Sequence, residues 1–373
     1  MNACSNWWRL ENEAELVTPG LLIYEERVER NLARMLEIAG GAERLRPHVK
    51  THKMARLIEW QVRLGVRRFK ASTVAEVEMC AEAGAEDVLL AMPGAAEVEM
   101  RRLRQLVEDF PEVSFSVLVD SKAGWQVLET VFEGAEGRLG VMVDVDCGMG
   151  RTGIAPGDAA SELVRKVAAS SVIGWRGLHV YDGHIHEASE AVRRQQWLAA
   201  MGPVEQWVEA LRQEGLQPEE FVCGGSPTFG LHAAVPGRRL SPGTTVFWDF
   251  GYGEAYEDLD FLVAAVLVGR VVSRTGPMRA TLNLGYKTMA AERPLPRVRL
   301  LGFARQPEQT MQSEEHLVIE GPEVADLAVG TVVYAVPRHI CPTVSMFDEV
   351  GWVRGGQVVE RVPVTARGRR LTV

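Results

Sequence analysis

The feature that most constrains the fold of this chain is a regular alternation of short β-rich runs with amphipathic helical stretches. Eight runs have the composition of strands: Leu45–Val49, Arg67–Ala71, Val88–Ala91, Val113–Val119, Leu139–Val145, Trp175–Tyr181, Phe221–Cys223 and Thr244–Asp249. Eight such units in roughly 200 residues are what a (β/α)8 barrel requires, and an open doubly wound sheet is the alternative. In a barrel, functional residues are expected on the loops that follow the strands.

The pattern changes after Gly251 to strands separated by Gly and Pro turns, which is typical of an all-β domain. The expected strands are Phe261–Val272, Met278–Asn283, Arg297–Gly302, His316–Glu320, Val332–Val336 and Trp352–Val364. We therefore predict a barrel over residues 20–250 and a β-rich domain over 251–373, which would also take residues 1–19. The early run Leu21–Tyr24 can pair with the second domain rather than with the barrel.

Composition limits the partners of the chain. A formal net charge of −9 opposes binding to nucleic acid or to anionic membranes, and no apolar run is long enough to span a bilayer. Five cysteines without a CxxC pair suit reduced thiols in a cytoplasmic protein. A small-molecule partner is expected.

Lys50 is the first candidate for chemistry because it ends the first predicted strand. A lysine in that position is partly desolvated, which lowers its pKa and suits it to imine formation with a carbonyl compound. The alternative is that Lys50 and Lys53 are ordinary surface cations beside a turn.

The second candidate region is the glycine-rich stretch from Asp144 to Gly153, whose glycines match GxGxxG. A dinucleotide-binding turn is disfavoured, because Pro156 and Gly157 prevent a helix directly after Gly153 and no acidic residue stands where a ribose partner is needed. Arg151 fits better as a fixed cation beside an anionic cofactor oxygen. A plain loop with a surface arginine is the alternative.

Three of the eight histidines lie together after the sixth predicted strand, at His179, His184 and His186, with Tyr181 between them. His184 and His186 would point apart in an extended segment, and each is a candidate base. A single histidine is more often structural, but this density favours a site. The spacing does not match the HExxH zinc motif.

Two Gly-containing stretches are candidates for binding a phosphate. Gly224 and Gly225 expose backbone N–H groups, and the hydroxyls of Ser226 and Thr228 can donate to an anion. Gly243 and Thr244 could complete the phosphate site. Either stretch alone is weak support, because such turns are common.

His339 and Cys341 are the candidate metal ligands. Residues two apart in an extended strand point to the same side, so both could bind one ion, and a thiolate makes Zn the first guess over Mn or Mg. A buried cysteine beside a hydrogen-bonded histidine is the better interpretation on spacing alone.

Taken together, these residues resemble the fold-type III enzymes that use pyridoxal 5'-phosphate (PLP), and within them the D-threonine aldolase and D-serine dehydratase group. The resemblance extends from Thr18-Pro19 to Val344, and its most specific signature is Arg-Pro-His-Val-Lys-Thr-His-Lys at positions 46–53. It implies that Lys50 binds PLP as a Schiff base and that Arg151 contacts the cofactor ring oxygen. By the same resemblance, His179 or Tyr181 lies near the ring, the segments 224–228 and 243–244 hold the phosphate, and His339 and Cys341 bind the metal.

Two positions depart from the pattern of the resembled enzymes. D-threonine aldolases commonly carry Asp where this chain has Cys341, which is the residue of the zinc-dependent D-serine dehydratases. Ser241 stands where racemases have an arginine facing the pyridine nitrogen, and a neutral partner there makes PLP a weaker electron sink.

The resemblance implies a lyase that acts on a D-3-hydroxy amino acid with PLP and a divalent metal, as a homodimer. Retro-aldol cleavage, such as D-threonine to glycine and acetaldehyde, is favoured slightly over dehydration to a 2-oxo acid. A non-catalytic PLP carrier or amino-acid sensor is the alternative of another class, and an NAD oxidoreductase ranks third.

Overall fold

The computed structural model describes residues 6–372. Its strands are β1 (Gly20–Tyr24), β2 (Arg68–Ala71), β3 (Asp87–Pro93), β4 (Ser114–Val119), β5 (Leu139–Val145), β6 (Gly174–Val180), β7 (Glu220–Cys223), β8 (Arg239–Leu240), β9 (Ala265–Gly276), β10 (Arg279–Leu282), β11 (Val298–Leu300), β12 (Glu308–Gln312), β13 (Leu317–Glu320), β14 (Val332–Pro337), β15 (Glu349–Arg354) and β16 (Gln357–Pro363). Its α-helices are α1 (Glu25–Ala39), α2 (Ala55–Arg63), α3 (Val74–Glu82), α4 (Glu97–Asp109), α5 (Lys122–Phe132), α6 (Asp158–Ala168), α7 (Glu190–Gln213), α8 (Phe229–Ala233), α9 (Phe250–Ala255) and α10 (Ile340–Val344).

The chain divides into two compact units. The barrel unit consists of Met35–Lys50, Ala55–Gly243 and Gly368–Val373, and the β unit consists of Met1–Arg34, Thr51–Met54 and Thr244–Arg367.

In the barrel unit, strands β2 to β8 form one parallel sheet in sequential order. The two edges of this sheet are joined by the segment before Lys50, because Leu45 bridges Leu240 on β8 and His48 bridges Lys70 on β2. The predicted (β/α)8 barrel is therefore confirmed, with two isolated bridges in place of a regular first strand.

Apolar packing explains why this sheet closes. All seven residues of β5 are buried, as expected for a parallel strand that is covered on both faces. Leu89, Leu118, Met142 and Val222 come from four different strands and pack into one cluster. Helices α3 and α5 begin at capping hydroxyls of Thr73 and Ser121, which places helix starts directly after β2 and β4.

A buried ionic network lies where the barrel strands begin, and we call this end the base. The guanidinium of Arg46, which is fully buried, donates to both carboxylate oxygens of Asp87 at 2.8 and 2.9 Å and to Glu220 at 3.2 Å. Arg239 donates to Glu220 at 3.0 Å, and Arg176 lies 3.5 Å from Asp87. Each charge of this network has an opposite charge within hydrogen-bonding distance or close to it.

The prediction of an eighth barrel strand at Thr244–Asp249 is wrong. The strand that follows β7 is the two-residue β8, and the predicted run Thr244–Asp249 instead begins with the 3-10 helix Thr244–Val246. The side chain of Asp249 then caps α9 by accepting from the N–H of Tyr252 at 2.9 Å. A short apolar run can be a buried strand or a buried helical turn, and periodicity does not distinguish the two.

The β unit contains a nine-stranded sheet in the order β12-β13-β10-β9-β1-β15-β16, with β14 on β9 and β11 on β14. The pairing of β1 with β9 and β15 confirms that Leu21–Tyr24 joins the second domain. The polar strand β12 was not predicted from sequence. The expected strand Trp352–Val364 is wrong as a single element, because Gly355 and Gly356, both at positive φ, turn the chain between β15 and β16.

The four cysteines within residues 6–372, Cys80, Cys147, Cys223 and Cys341, are free thiols, as expected, and Cys4 lies outside the described residues. No helix in the described part of the chain combines the length and the apolar character needed to cross a membrane.

Candidate active site

At the end of the barrel where the strands stop, which we call the mouth, three cations surround the ring of Tyr181. The Nζ atoms of Lys50 and Lys70 each lie 5.6 Å from the ring centre, and the Cζ atom of Arg151 lies 4.9 Å from it. Aromatic faces attract cations within about 6 Å of the ring centre. An assembly of three positive groups around one neutral ring is suited to binding an anionic molecule.

His179 is held on the mouth side of β6 by Asp144 of β5. These two residues are register partners, and His179 Nδ1 lies 2.7 Å from Asp144 Oδ1. Lys70 Nζ lies 3.4 Å from the other ring nitrogen, Nε2. Burial and the charge of Lys70 outweigh Asp144 and lower the pKa of His179. Burial and the charge of Lys50 lower the pKa of Lys70 to about 7.

The two candidate bases differ in their surroundings. The segment turns at Gly183 and His184, with the N–H of Ile185 donating to the carbonyl of Asp182 at 2.9 Å, so it is not extended. His184 is half-buried, and its Nδ1 has no hydrogen-bond partner among the residues that the structure describes. His186 is exposed, and its Nδ1 lies 2.6 Å from the carbonyl oxygen of His184. The unpartnered ring nitrogen therefore distinguishes His184 from His186.

The candidate phosphate loop is shaped by side chains of the barrel unit. Ser226 Oγ accepts from the N–H of Gly243 at 3.3 Å, which joins the two predicted phosphate stretches. Thr228 Oγ1 accepts from the N–H of Gly225 at 3.4 Å and donates to Asp182 at 2.9 Å. Because the hydroxyl hydrogen of Thr228 is used by Asp182, this residue shapes the loop here, and its predicted donation to a phosphate stays a prediction.

Thr244 follows Gly243 in the chain but belongs to the β unit. Its Oγ1 lies 3.5 Å from the sulfur of Cys341. Its predicted contact with a phosphate also stays a prediction.

Two observations show that the barrel mouth fits PLP. The buried hydroxyl of Ser241 has no hydrogen-bond partner within residues 6–372, so it is available to a polar atom of a bound molecule. A Cβ added to Gly225 would lie 3.1 Å from Tyr181 Cε2, so glycine keeps this side of the ring open. The cations at the mouth are suited to the charges of a phosphate ester and a phenolate.

The glycines of the segment that matches GxGxxG do not form a dinucleotide-binding turn. Asp146 accepts from the N–H of Gly148 at 2.9 Å and from that of Gly150 at 3.0 Å. Helix α6 begins only at Asp158. The amides that a dinucleotide turn would offer to a pyrophosphate are thus directed at a carboxylate of the chain itself.

The β unit brings His339 and Cys341 together, but not through a strand. His339 is the N-cap of the short helix α10 and Cys341 is within that helix, so the expectation of a shared strand face is wrong. His339 Nδ1 lies 2.5 Å from Glu292 Oε1, and Cys341 Sγ lies 3.3 Å from the hydroxyl of Thr51, the residue that follows Lys50.

His339 and Cys341 shift each other's pKa in opposite directions. Burial lowers the pKa of His339, but the hydrogen bond and the charge of Cys341, with the hydrogen bond to Glu292, raise it to about 9. Burial raises the pKa of Cys341, but the hydrogen bond to His339 and its charge outweigh burial, so the net shift is downward.

One imidazole and one thiolate fit two ligands of a soft divalent ion such as Zn. Within residues 6–372, no group of three or more His, Cys, Asp or Glu side chains is arranged to hold a metal. A metal bound by these two side chains would need further ligands to complete its coordination.

Several residues of these sites were not predicted from sequence, namely Lys70, Asp182, Asp249 and Glu292. Lys70 carried a usable signal, because it interrupts a buried strand, and Asp144 carries the same signal in β5. A charged residue inside a buried strand needs a partner or a function. Asp249 accepts from the N–H of Ile340 at 3.0 Å and so fixes the start of α10.

A parallel barrel with a lysine in the turn that follows its first bridged segment, together with a β domain, is the architecture of alanine-racemase-like enzymes. A family model of the alanine racemase N-terminal domain matches residues 23–249, and a serine dehydratase domain model matches residues 264–353. The first match covers more than half of the chain, so the chain belongs to the alanine racemase-like, fold-type III family of PLP enzymes.

The relatives of this chain include enzymes of both expected reactions. The chain is 29% identical over 371 residues to the 3-hydroxy-D-aspartate aldolase of Paracoccus denitrificans (strain Pd 1222), covering 96% of this chain and 94% of that protein. It is 26% identical over 364 residues to the D-threo-3-hydroxyaspartate dehydratase of Delftia sp. (strain HT23), covering 89% of this chain and 93% of the relative. Among solved structures, the D-threonine aldolase from Filomicrobium marinum matches with a TM-score of 0.86 at 28% identity, covering 95% of this chain and 96% of that one.

Proposed function

We propose that this protein is a PLP- and metal-dependent lyase that cleaves D-3-hydroxy amino acids by a retro-aldol reaction, such as D-threonine to glycine and acetaldehyde. The observation that carries the proposal is the set of three cations around Tyr181 at the barrel mouth, with Lys50 among them. The names of the aldolase relatives support the choice of substrate class.

The proposed roles of the barrel residues follow from their positions. Lys50 holds the cofactor covalently, Arg151 binds its ring oxygen, and His179 and Tyr181 lie against its ring. The segments 224–228 and 243–244, which contain the hydroxyls of Ser226, Thr228 and Thr244, hold its phosphate. Bound PLP supplies an electron sink for the electron pair that is released at Cα when a bond there breaks.

His184 is proposed as the base that takes the proton of the substrate hydroxyl. Its unpartnered Nδ1 distinguishes it from His186, which is exposed and directed at a backbone carbonyl. Replacing His184 with Asn should therefore lower kcat far more than the matched change His186→Asn. Equal losses in the two variants would contradict this assignment.

His339 and Cys341 are proposed as metal ligands, with Zn as the first choice and Mn or Mg as alternatives. A bound metal supplies Lewis-acid chemistry toward an oxygen ligand. The side chain of Glu292 on His339 Nδ1 orients the ring so that Nε2 is the nitrogen available to the metal.

The proposed reaction is tested with purified protein, added PLP, and the D and L forms of threonine and serine. We expect an imine absorption band that changes with D-threonine, and acetaldehyde and glycine as the main products. Comparable turnover of L-threonine would contradict the proposed stereochemistry. A cofactor band that persists through all additions without product would instead favour a PLP carrier or sensor.

Dehydration is the second candidate reaction. The presence of cysteine at position 341 favours it, because the zinc-dependent D-serine dehydratases that the chain resembles also have cysteine at this position. The dehydratase relative and the matched domain at 264–353 agree with it. The two reactions give different products from D-threonine, because elimination yields 2-oxobutanoate and ammonia. An excess of 2-oxobutanoate over glycine would make dehydration the favoured reaction and retro-aldol cleavage the second candidate.

The metal is tested by removal and by exchange. Chelation should abolish turnover while the imine band remains, because Lys50 binds PLP without the metal. Cys341→Asp should shift the preference toward Mn or Mg, since carboxylate oxygen is a harder ligand than sulfur. Full activity after chelation, or in His339→Ala, would remove the metal from the proposal.

A homodimer and a cytoplasmic location are proposed from the resemblance and from the composition. Light scattering of the purified protein tests the first, and fractionation of cells that express the full chain tests the second.

A further inference from the structure

Lys70 is a buried cation to which the proposed function assigns no role. It lies on β2, is 2% exposed, and its backbone pairs with the segment before Lys50 through the bridge to His48. A buried ammonium is costly unless its hydrogen-bond donors are used. The atom that its Nζ approaches is Nε2 of His179, at 3.4 Å.

The hydrogen bonds around His179 determine which of its nitrogens carries the proton. Asp144 Oδ2 accepts from the hydroxyl of Thr152 at 2.9 Å, and the net effect of its partners lowers the pKa of Asp144, so it is a carboxylate. A carboxylate accepts only, so the 2.7 Å contact requires a proton on His179 Nδ1. In the neutral ring, Nε2 is then an acceptor, and the lysine amine can donate to it.

The charges that face these two groups come from several strands. His179 faces Lys70, Asp144 and Arg151, and the pKa of its neighbour His48 is lowered by burial and also responds to Lys50, Lys70 and His179. The groups that act on Lys70 are Lys50, Asp144, Asp182 and Cys223. Asp144 stabilises a second proton on His179, whereas Lys70 and Arg151 oppose it.

We propose that Lys70 is a positioning residue that holds His179 as the neutral ring protonated on Nδ1, by donating a hydrogen bond to Nε2. The amine can donate to Nε2 whether it is charged or neutral. Only the ammonium form also repels a second proton from His179, and this form is favoured as the pH falls. Lys70 thus protects the neutral histidine in the pH range where the imidazole would otherwise become charged.

This inference concerns the state of His179, and it rests on the proposed function only where it concerns turnover. Under that function, a neutral and fixed ring lies against the cofactor, with no additional charge beside it. Misplacing the ring should lower kcat by between about 10- and 100-fold with a smaller change in KM.

The test uses the full protein labelled with 15N-histidine, with PLP bound, and long-range 1H–15N spectra recorded across the pH range. The loss of one signal in His179→Gln assigns the resonance. We expect a proton on Nδ1 and none on Nε2 at neutral pH. In Lys70→Met, His179 should take up its second proton at higher pH than in the unchanged protein, whereas Lys70→Arg should restore the original titration.

Lys122 provides the matched control, because it is an exposed lysine at the start of α5 and Lys122→Met should leave the His179 titration unchanged. The acidic limb of the kcat/KM profile should move to higher pH in Lys70→Met alone. A proton on Nε2 in the unchanged protein, or an identical titration in Lys70→Met, would overturn the proposal.

Two further outcomes separate this inference from the proposed function. Borohydride reduction and peptide mapping that find the cofactor on Lys70 would overturn the positioning role, because the amine would then be bonded to carbon. If no substrate is turned over, the lyase proposal fails, but the histidine spectra still decide the state of His179. If Lys70→Met does not fold, Lys70→Gln removes the charge while keeping a donor, so His179 should still take up its second proton at higher pH than in the unchanged protein, and an identical titration would overturn the proposal.

Discussion

The two ends of the barrel arrange their charged groups in opposite ways. At the base, Arg46 is enclosed between Asp87 and Glu220, and further arginines complete the pairing. At the mouth, Lys50, Lys70 and Arg151 gather around a neutral aromatic ring. The same parallel strands support both ends, so the difference lies in which side chains the sequence places at strand starts and at strand ends.

This difference separates stability from binding. A buried ion pair whose hydrogen bonds are all made tolerates low dielectric surroundings, and it is strongly destabilised only when one partner is removed. A group of like charges raises the free energy of the empty site, and an anionic ligand lowers it on binding. The base is therefore expected to govern unfolding, and the mouth is expected to govern cofactor binding.

The largest expected effect is at the mouth. Lys50→Ala should lose the borohydride-reducible cofactor bond and nearly all turnover, because the amine that is proposed to bind the cofactor is then missing. Its thermal unfolding midpoint without cofactor should stay close to that of the unchanged protein. Lys53→Ala is the control and should keep the covalent bond, and attachment of the cofactor at Lys53 would refute the assignment.

The next largest effect is expected at the base, where a substitution should lower stability rather than cofactor binding. Arg46→Met leaves Asp87 and Glu220 buried with a missing partner, so we expect a loss of about 3–5 kcal/mol in the free energy of unfolding. The matched change Arg68→Met removes a more exposed cation from the same network and should cost about 1 kcal/mol or less. Chemical denaturation measures both, and equal losses would mean that burial does not set the cost.

The buried amine of Lys70 should make the free energy of unfolding depend on pH. The pKa of Lys70 is lowered from 10.5 to about 7 by burial and by Lys50, so above that pH the folded chain releases a proton that the unfolded chain retains. Because the unfolded state then binds more protons, the free energy of unfolding attributable to Lys70 rises with pH between the two values. Lys70→Met should therefore be more stable than the unchanged protein below about pH 7, by on the order of a few kcal/mol, and this advantage should shrink toward about pH 10.

Unfolding midpoints of Lys70→Met and of the control Lys122→Met, measured in parallel buffers, test this dependence. A constant difference between Lys70→Met and the unchanged protein at all pH values would show that Lys70 keeps its ordinary pKa in the folded state.

The fold was largely predictable because the barrel strands are apolar runs bounded by turn residues, as in β5, which was predicted with its observed limits. The run Thr244–Asp249 was not predictable, since a capping aspartate and a 3-10 turn replaced the strand that its β-branched residues favour. The polar strand β12 was not predicted because its composition does not favour a strand. It is a strand because it pairs with β13.

The candidate residues could be named from sequence, but their partners could not. Lys70 stands out as a charged residue within a buried strand, but the sequence does not show that its partner is His179 of β6, which is distant in the chain. His339 and Cys341 were expected together because of strand alternation, but they meet because His339 caps the helix that contains Cys341. Long-range pairing and local capping, rather than residue type, decided these outcomes.

The smallest expected effect concerns the space beside Tyr181. In Gly225→Ala the new Cβ would lie 3.1 Å from Tyr181 Cε2, so the ring must turn slightly away from it. A side chain pushed off its preferred rotamer costs about 0.5–1.5 kcal/mol, which corresponds to about a two- to tenfold loss of affinity for PLP. Gly230→Ala is the matched control, because this glycine lies in α8 and a Cβ there meets no atom of the described residues within 4 Å, so the affinity should not change. Absorption titration of the cofactor-free protein measures both variants. An unchanged affinity in Gly225→Ala would show that the position of the Tyr181 ring does not control cofactor binding, and the mouth would then depend on its cations alone.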